Sequence, residues 1–386
     1  MQIVTLRRLA AAAMMVAAPV AMAQSVQHTT GTVTFRVFNN GYYGNALGVP
    51  ATGAFVFNGV NGIFEGQLMV GVSANQVAGS PYAATNAHEW TAGANPTAIT
   101  PPASFDQAYV AGPFTDGAVA NPNPIGLSVL QRTYSSSAEP NNDFGIVELE
   151  ITSALAHAAM YVGMFADWDV GPAATADLGG YDAGSKLLYV WDNSGGNPNY
   201  YGVAVIGHPV SGYTDDAGAG GNPTEPQIYL GLTTASAPAV TPADRRTVIG
   251  AGPFGVAAGG TLIVRFAYVG GTSQADIIAN ANAAQALFPP VAVENTPNAA
   301  GYALSATAPN PVNSSASLAV TVPTSQDVRV AVYDVTGREV SVLVDGTLAA
   351  GTHEINWDAS ALPSGVYMVR LAAGSQQLAR TVSVAR

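Results

Sequence analysis

Short segments in which apolar and polar residues alternate recur along this chain, and most of them end at glycine, proline or asparagine. Val33, Phe35 and Val37 alternate with Thr32, Thr34 and Arg36. Residues 261–268 repeat the pattern. Period-two alternation is typical of a half-buried strand, and glycine and proline interrupt helices. With 42 glycines and 25 prolines among 386 residues, this pattern predicts an all-β fold built from short strands.

Other segments add to the same prediction. Residues 54–57 and 63–70 flank a turn-forming segment at residues 58–62, which is typical of a β-hairpin. Strands are also predicted at residues 147–151, 160–165 and 187–191, and loops at residues 91–104 and 211–226. Only the alanine-rich residues 276–287 have a convincing helical pattern. We therefore expect the larger part of the chain to be a β-sandwich.

Composition excludes several classes of function. The net charge is −12 and only 10% of the residues are charged, while 48% are hydrophobic. An acidic surface repels phosphate, so nucleic acid and anionic lipid are not expected as partners. The chain has no cysteine, which excludes disulfides, thiolate catalysis and cysteine-ligated zinc.

The N-terminal residues have the pattern of a secretion signal. Arg7 and Arg8 precede an apolar run over residues 9–20, and Ala21-Met22-Ala23 follows it. This order predicts a signal peptide over residues 1–23, with a retained anchor helix as the alternative. No other segment is apolar for the ~18 residues that a membrane-spanning helix needs, so we expect no transmembrane helix in the mature protein.

The rest of the chain divides at Pro289-Pro290. We predict a β-rich passenger domain over residues 24–290, a linker over residues 291–304 and a C-terminal module over residues 305–386. The module contains alternating strands at residues 318–322, 328–332, 340–344, 352–357, 366–371 and 378–384. Six or seven strands in a segment of this length predict a small immunoglobulin-like β-sandwich.

Several short motifs follow one another in a fixed order along this module. They are Pro309, Asn310 and Pro311 before the first strand, Gly337 in the central turn, Gly351 before Trp357, and Gly365 with Tyr367 before the last strands. This order resembles the C-terminal sorting domain of type IX secretion cargo. One departure is Val312, which stands where that family usually has an aromatic residue.

The resemblance implies a route of export and a set of partners. Cargo of this kind crosses the inner membrane and folds in the periplasm, where the type IX translocon and sorting machinery recognise the C-terminal sandwich. The sorting domain is commonly cleaved, and the passenger is released or attached to the outer cell surface. An adhesive sandwich without a sorting role is the alternative interpretation of the module.

Acidic residues follow an apolar strand in the passenger and suggest a metal site. Asp167 and Asp169 flank Trp168, Asp177 and Asp182 follow in a glycine-rich segment, and Asp192 ends the next strand. Clustered carboxylates at strand ends suit Ca²⁺, which takes hard oxygen ligands from flexible backbone. The alternatives are carboxylates that close turns by accepting backbone N–H bonds, and a catalytic pair formed by Asp167 and Asp169.

Aromatic residues near turns suggest a second kind of partner, a surface glycan. The alternative is that these residues pack in the core, since tyrosine is also a good strand former. No H-E-x-x-H, G-x-S-x-G or phosphate-loop motif is present. We therefore expect a non-enzymatic structural, adhesive or ligand-binding passenger, with a secreted hydrolase as the alternative. The aromatic candidates are Tyr42, Tyr43, Trp90, Tyr200 and Tyr201.

Overall fold

The computed structural model describes residues 24–44, 53–79, 89–118, 121–172, 174–216, 223–288, 301–305, 312–334, 338–374 and 376–384. The predicted signal peptide at residues 1–23 lies outside the described residues, as do residues 291–300 of the predicted linker.

Antiparallel strands make up most of the passenger, as predicted. In chain order they are β1 (Ser25–Thr30), β2 (Val33–Phe38), β3 (Phe55–Phe57), β4 (Val60–Asn61), β5 (Ile63–Ser73), β6 (Gln76–Ala78), β7 (Thr97–Ala98), β8 (Gln107–Thr115), β9 (Leu127–Ser135), β10 (Phe144–Ser153), β11 (His157–Trp168), β12 (Asp177–Asp182), β13 (Leu187–Asp192), β14 (Tyr200–Ile206), β15 (Val210–Asp216), β16 (Arg245–Val256) and β17 (Thr261–Gly271). The helices are α1 (Glu225–Thr233) and α2 (Gln274–Leu287), with a short 3₁₀ turn at Ala174–Ala176.

These strands form a β-sandwich with a helix on each outer side. An eight-stranded sheet, ordered β12-β13-β14-β17-β10-β9-β8-β7, makes one layer. The other layer contains a five-stranded sheet, β15-β16-β11-β5-β6, and a four-stranded sheet, β1-β2-β3-β4. One apolar cluster, including Phe35, Trp168 and Phe266, contains residues of all three sheets. Helix α2 packs on the outer face of the eight-stranded sheet, and α1 on the outer face of the five-stranded sheet.

The alternation in the sequence matches the two faces of each strand. In β17, Val264, Phe266 and Tyr268 belong to the central cluster, while Ala267 and Val269 pack towards α2. Successive side chains of a strand point to opposite faces, so a strand buried on both sides needs apolar residues in both series. Burial of the two faces at roughly 25 cal/mol per Å² of apolar surface is the main stabilising contribution.

A hairpin forms after residues 55–57, but its second strand is β4, which lies inside the segment predicted as the turn. Asn58 and Gly59 have φ values of 50° and 77°, as a two-residue type I′ turn requires. They connect β3 to β4, and β5 then joins a different sheet. Gly62 lies between β4 and β5, where the chain passes from one sheet to the other. A Cβ at this position would overlap the ring of Tyr201. The prediction that residues 63–70 pair with residues 54–57 was therefore wrong.

One helix was predicted and the other was missed. Helix α2 was predicted, and its N-terminus is capped by Ser273, whose Oγ accepts a hydrogen bond from the N–H of Asp276 at 3.2 Å. Residues 211–226 were predicted as a loop, yet β15 occupies their first part and α1 begins at Glu225. Helix α1 has only nine residues and includes Gly231, so its sequence has a weak helical signal.

Glycines in the five-stranded sheet allow α1 to lie close to it. A Cβ at Gly163 would collide with the side chain of Leu232 and the carbonyl oxygen of Ile249. Gly212 and Gly250 face the end of the same helix. Three strands thus present backbone instead of side chains to α1, which is why this outer face carries a helix.

We expect Gly163→Ala to lower the free energy of unfolding by about 1–3 kcal/mol, the usual cost of forcing atoms into a packed site. Gly117→Ala is the matched control, because the only neighbouring atom within 4 Å of its Cβ would be Oγ1 of Thr115 at 3.8 Å. Urea denaturation of both variants measures the difference. Equal stability of the two variants would show that α1 does not depend on this close approach.

The C-terminal module forms two further sheets with a core of their own. Its strands are β18 (Ala303–Leu304), β19 (Ser315–Val322), β20 (Gln326–Asp334), β21 (Glu339–Leu348), β22 (Gly351–Asp358), β23 (Gly365–Ala373) and β24 (Gln376–Val384). The sheets are β18-β19-β22 and β21-β20-β23-β24. All six predicted strands are present, and β18 forms at the end of the segment predicted as a linker. Trp357 lies at the centre of the core and is 1% exposed.

Candidate functional site

The four carboxylates predicted to bind calcium lie in three different surroundings. Asp167 lies on the outer face of the five-stranded sheet, and Asp169 follows the end of β11. Asp177 begins β12 and Asp182 ends it. In the part of the chain that the structure describes, no three acidic or histidine side chains converge closely enough to hold a metal ion alone. The calcium site made of these four residues stays a prediction.

Asp167 belongs to a row of charged residues that crosses four strands. Its cross-strand neighbours are Glu65 on β5 and Arg246 on β16. Arg246 donates a hydrogen bond from Nη2 to Oδ2 of Asp216 at 2.9 Å. Burial, followed by the charges of Glu65 and Asp167, raises the pKa of the Tyr42 phenol. Asp216 and Arg246 line a small cleft between this sheet and the N-terminal turn of α1.

Asp177 is the most deeply buried of the four. It is 0% exposed, and it lies directly opposite Asp192 in the antiparallel pair β12·β13. Oδ2 accepts a hydrogen bond from the N–H of Val170 at 3.3 Å, and Oδ1 has no hydrogen-bond partner. The pKa of Asp177 is raised to about 7, chiefly by burial and to a smaller extent by the charges of Asp192, Asp169 and Asp244. The hydrogen bond from Val170 opposes this shift.

Asp192 and Asp182 accept backbone hydrogen bonds that close turns, which was the alternative prediction for the acidic residues. Oδ1 of Asp192 accepts from the N–H of Ser194 at 2.7 Å, and Oδ2 from that of Asn197 at 2.9 Å. Oδ1 of Asp182 accepts from the N–H and the hydroxyl of Ser185 at 2.8 and 2.6 Å. The hydroxyl and then the N–H of Ser185 lower the pKa of Asp182. Both carboxylates therefore stabilise local backbone.

The aromatic residues suggested as glycan contacts are mostly internal. Tyr43, Trp90 and Tyr201 belong to the central apolar cluster, and Tyr42 is also buried. The hydroxyl of Tyr43 donates a short hydrogen bond to Oε1 of Gln131. Those four side chains have the core-packing role that was the alternative prediction.

Tyr200 is the exception among the five, because it is only half-buried. Its ring stacks on that of Trp191 across the β13·β14 pair, with centroids 5.6 Å apart and an interplanar angle of 18°. Trp191 stacks in turn on Tyr189 at 5.8 Å. Sequence reasoning missed Trp191, although its spacing of two from Tyr189 within one strand places both rings on the same face.

His28 of β1 is buried, and its ring contacts two hydroxyl groups of β9 in the eight-stranded sheet. Its Nδ1 is 2.7 Å from Oγ of Ser135, and its Nε2 is 2.8 Å from Oγ1 of Thr133. A neutral imidazole donates from one nitrogen and accepts at the other, so both contacts are satisfied without charge. Burial lowers the pKa of His28 to about 4.

The His28 pKa predicts a dependence of stability on pH. The unfolded chain binds the proton near pH 6.5, whereas the folded protein binds it near 4, so acid favours unfolding. The contribution of His28 is complete above pH 6.5 and declines by on the order of 3 kcal/mol as the pH falls to 4. His28→Gln should flatten the profile of urea unfolding free energy over this interval. A variant profile parallel to the wild-type profile would contradict the assignment.

The predicted sorting-motif residues lie partly within the described chain. Gly351 opens β22 with a φ of +126°, and Gly365 opens β23. Tyr367 packs in the module's core, and its hydroxyl donates to the carbonyl oxygen of Pro363 at 2.9 Å. Pro309, Asn310, Pro311 and Gly337 lie outside the described residues.

Comparison with known families supports the prediction that the C-terminal module is a sorting domain. Residues 307–385 match the family described as "Secretion system C-terminal sorting domain". This match supports the identification of the chain as a type IX secretion cargo protein. The sorting domain implies interaction with the type IX machinery and a secreted or cell-surface location for this cargo protein. None of the helices among the described residues is long and apolar enough to cross a bilayer.

The passenger of this cargo protein has no comparable family assignment. No curated protein matches the sequence. A solved structure of a polysaccharide lyase aligns over 84% of this chain and 39% of its own length, with 9% identity and a TM-score of 0.28. The cargo protein thus spans well under half of that structure. A likeness this weak carries no argument about the passenger's activity.

Proposed function

We propose that this cargo protein crosses the inner membrane by its signal peptide, folds in the periplasm and is passed by the type IX machinery to the outer cell surface. The observation that carries this proposal is the independent core of the C-terminal module. Its buried apolar residues all lie between Leu304 and Val384. A domain with a complete core of its own presents the same surface to a receptor whatever passenger precedes it.

Removal of residues 362–386 tests the export route. The truncation deletes β23 and β24, which carry Tyr367, Val369 and Leu371 of the core. We expect the truncated protein to accumulate in the periplasm, whereas the wild type appears at the surface or in the medium. Cell fractionation followed by immunoblotting measures the distribution.

Met368→Ala is the matched control for this truncation. Its side chain lies on β23 but is 41% exposed, so its removal leaves the core of the module intact. This variant should be exported like the wild type. Surface delivery of the truncated chain would defeat the proposal.

For the passenger, we propose a non-enzymatic structural or adhesive role. Its buried polar side chains form hydrogen bonds and ion pairs that stabilise the fold. Asp182 and Asp192 close turns, and Arg245 forms a buried ion pair with Asp215 at 3.2 Å. The charged row offers a hydrolase two neighbouring carboxylates, Glu65 and Asp167, but both are buried. Glycoside hydrolysis needs two carboxylates on either side of a bound sugar, so we prefer the structural role.

A surface glycan is the partner that we propose for an adhesive passenger, bound through Tyr200 and Trp191. Their stacked rings are half-buried on the outer face of the eight-stranded sheet. Aromatic rings of this kind present an apolar body beside a polar edge, which suits the mixed surface of a sugar.

A glycan array with the purified protein tests this partner. For the glycans that the wild type binds, Tyr200→Ala should weaken binding roughly fivefold, since an aromatic contact contributes about 1 kcal/mol. Phe64→Ala is the control, because Phe64 is a 39% exposed aromatic residue on a different sheet. Absence of wild-type binding, or equal losses in the two variants, would refute the glycan proposal.

A further inference from the structure

The buried carboxylate of Asp177 lacks the partners that such a group needs. It is 0% exposed, one oxygen accepts a single hydrogen bond of 3.3 Å, and the other accepts none. An ionised carboxylate buried without a compensating charge costs several kcal/mol. The group therefore requires either a proton or a cation.

The neighbouring charges make this requirement stronger. Asp192 lies directly opposite on β13, where cross-strand pairs bring side chains of the same face within about 5.5 Å. Asp169 and Asp244 act on the same carboxyl group with the same sign of charge. The charges of three aspartates thus act on a fourth that is buried.

Arg245, a basic residue that contacts Asp177, does not compensate this charge. Its Nε donates to the backbone carbonyl oxygen of Asp177 at 3.1 Å, and not to the carboxylate. Its Nη1 is paired with Asp215 at 3.2 Å, and both of those side chains are 0% exposed. The guanidinium group is therefore already committed to another carboxylate.

We propose that Asp177 and Asp192 bind a calcium ion between β12 and β13. The two carboxylates supply the charged ligands, and backbone carbonyl oxygens and water complete the coordination. Asp169 and Asp244 contribute negative charge around the ion. This proposal is independent of the export route and of the glycan partner.

Calcium is the cation that fits these ligands. Ca²⁺ takes six to eight oxygen ligands in flexible geometry and accepts backbone carbonyls and water beside carboxylates. Among the described residues no three acidic or histidine side chains converge, so backbone carbonyls and water would have to supply most of the ligands. Backbone hydrogen bonds from Ser194 and Asn197 hold the carboxylate of Asp192 in a fixed orientation at the end of β13.

The backbone at Gly171 packs closely against the carboxylate of Asp192. A Cβ at this position would lie 2.7 Å from Cγ and 2.9 Å from each carboxylate oxygen of Asp192. The backbone of the segment after β11 therefore passes directly against the proposed ligand. An alanine at Gly171 would displace the carboxylate without removing any charge.

The ligand set differs from the one that the sequence suggested. Asp182 lies at the opposite end of β12 from Asp177 and is held by Ser185. Asp167 lies in the charged row beside Glu65 and Arg246. Of the four predicted ligands, only Asp177 is retained as a direct ligand, and its partner is Asp192, which the sequence placed in the same acidic cluster.

Calorimetric titration of the chelator-treated full-length protein with CaCl2 tests the site, together with thermal unfolding at increasing CaCl2. We expect saturable binding, and a melting temperature that rises with each tenfold increase in calcium concentration. Asp177→Asn should abolish both effects, and Gly171→Ala should weaken binding at least tenfold. Asp182→Asn should bind calcium like the wild type.

Several results would overturn the proposal. One is a wild-type protein that shows no binding at millimolar CaCl2, and another is undiminished binding by Asp177→Asn. Loss of binding in Asp182→Asn would return the site to the set predicted from the sequence. Circular dichroism in chelator checks the fold of each variant, and Gly171→Ala provides an independent test if Asp177→Asn does not fold. None of these calcium measurements tests the proposed export route, so failure of the calcium proposal would leave the export proposal standing.

Discussion

The apolar layer between the eight-stranded sheet and the two smaller sheets is the feature on which the rest of the passenger depends. It is built from alternate residues of strands that are far apart in the chain, such as Phe35 on β2, Trp168 on β11 and Phe266 on β17. Because each strand must bury one face in this layer, its other residues are directed to an outer face. The positions of the helices, the charged row and the stacked aromatic residues follow from that constraint.

Polar groups at the margins of this layer are used in two ways. Most of them satisfy the backbone or each other, as Asp182 does with Ser185 and Arg245 does with Asp215. Asp177 differs from Asp215, because its buried carboxylate accepts one hydrogen bond of 3.3 Å and has no paired arginine among the described residues. A buried carboxylate in this state needs a proton or a cation, and this contrast underlies the calcium proposal.

The two parts of the chain separate delivery from activity. The C-terminal module has a complete core around Trp357 and matches a family of sorting domains, so it accounts for export. The passenger has its own layers and its own buried polar groups, and the family match does not extend to it. For an exported protein without cysteine, a bound cation is one way to tie strand ends together where another secreted protein would use a disulfide.

The sequence by itself determined the features that local pattern controls. These are the all-β fold, the six strands of the sorting module, helix α2 and the Asn58-Gly59 turn, each of which follows from periodicity or from the conformation of a few neighbouring residues. The tertiary structure alone decided which side chains meet. Asp177 faces Asp192, Asp167 faces Glu65, and Tyr43 is internal while Tyr200 is half-exposed. These neighbours are set by the order of the strands and by where the chain passes from one sheet to another. Both depend on the apolar surface buried by the whole sandwich, which no local sequence pattern encodes.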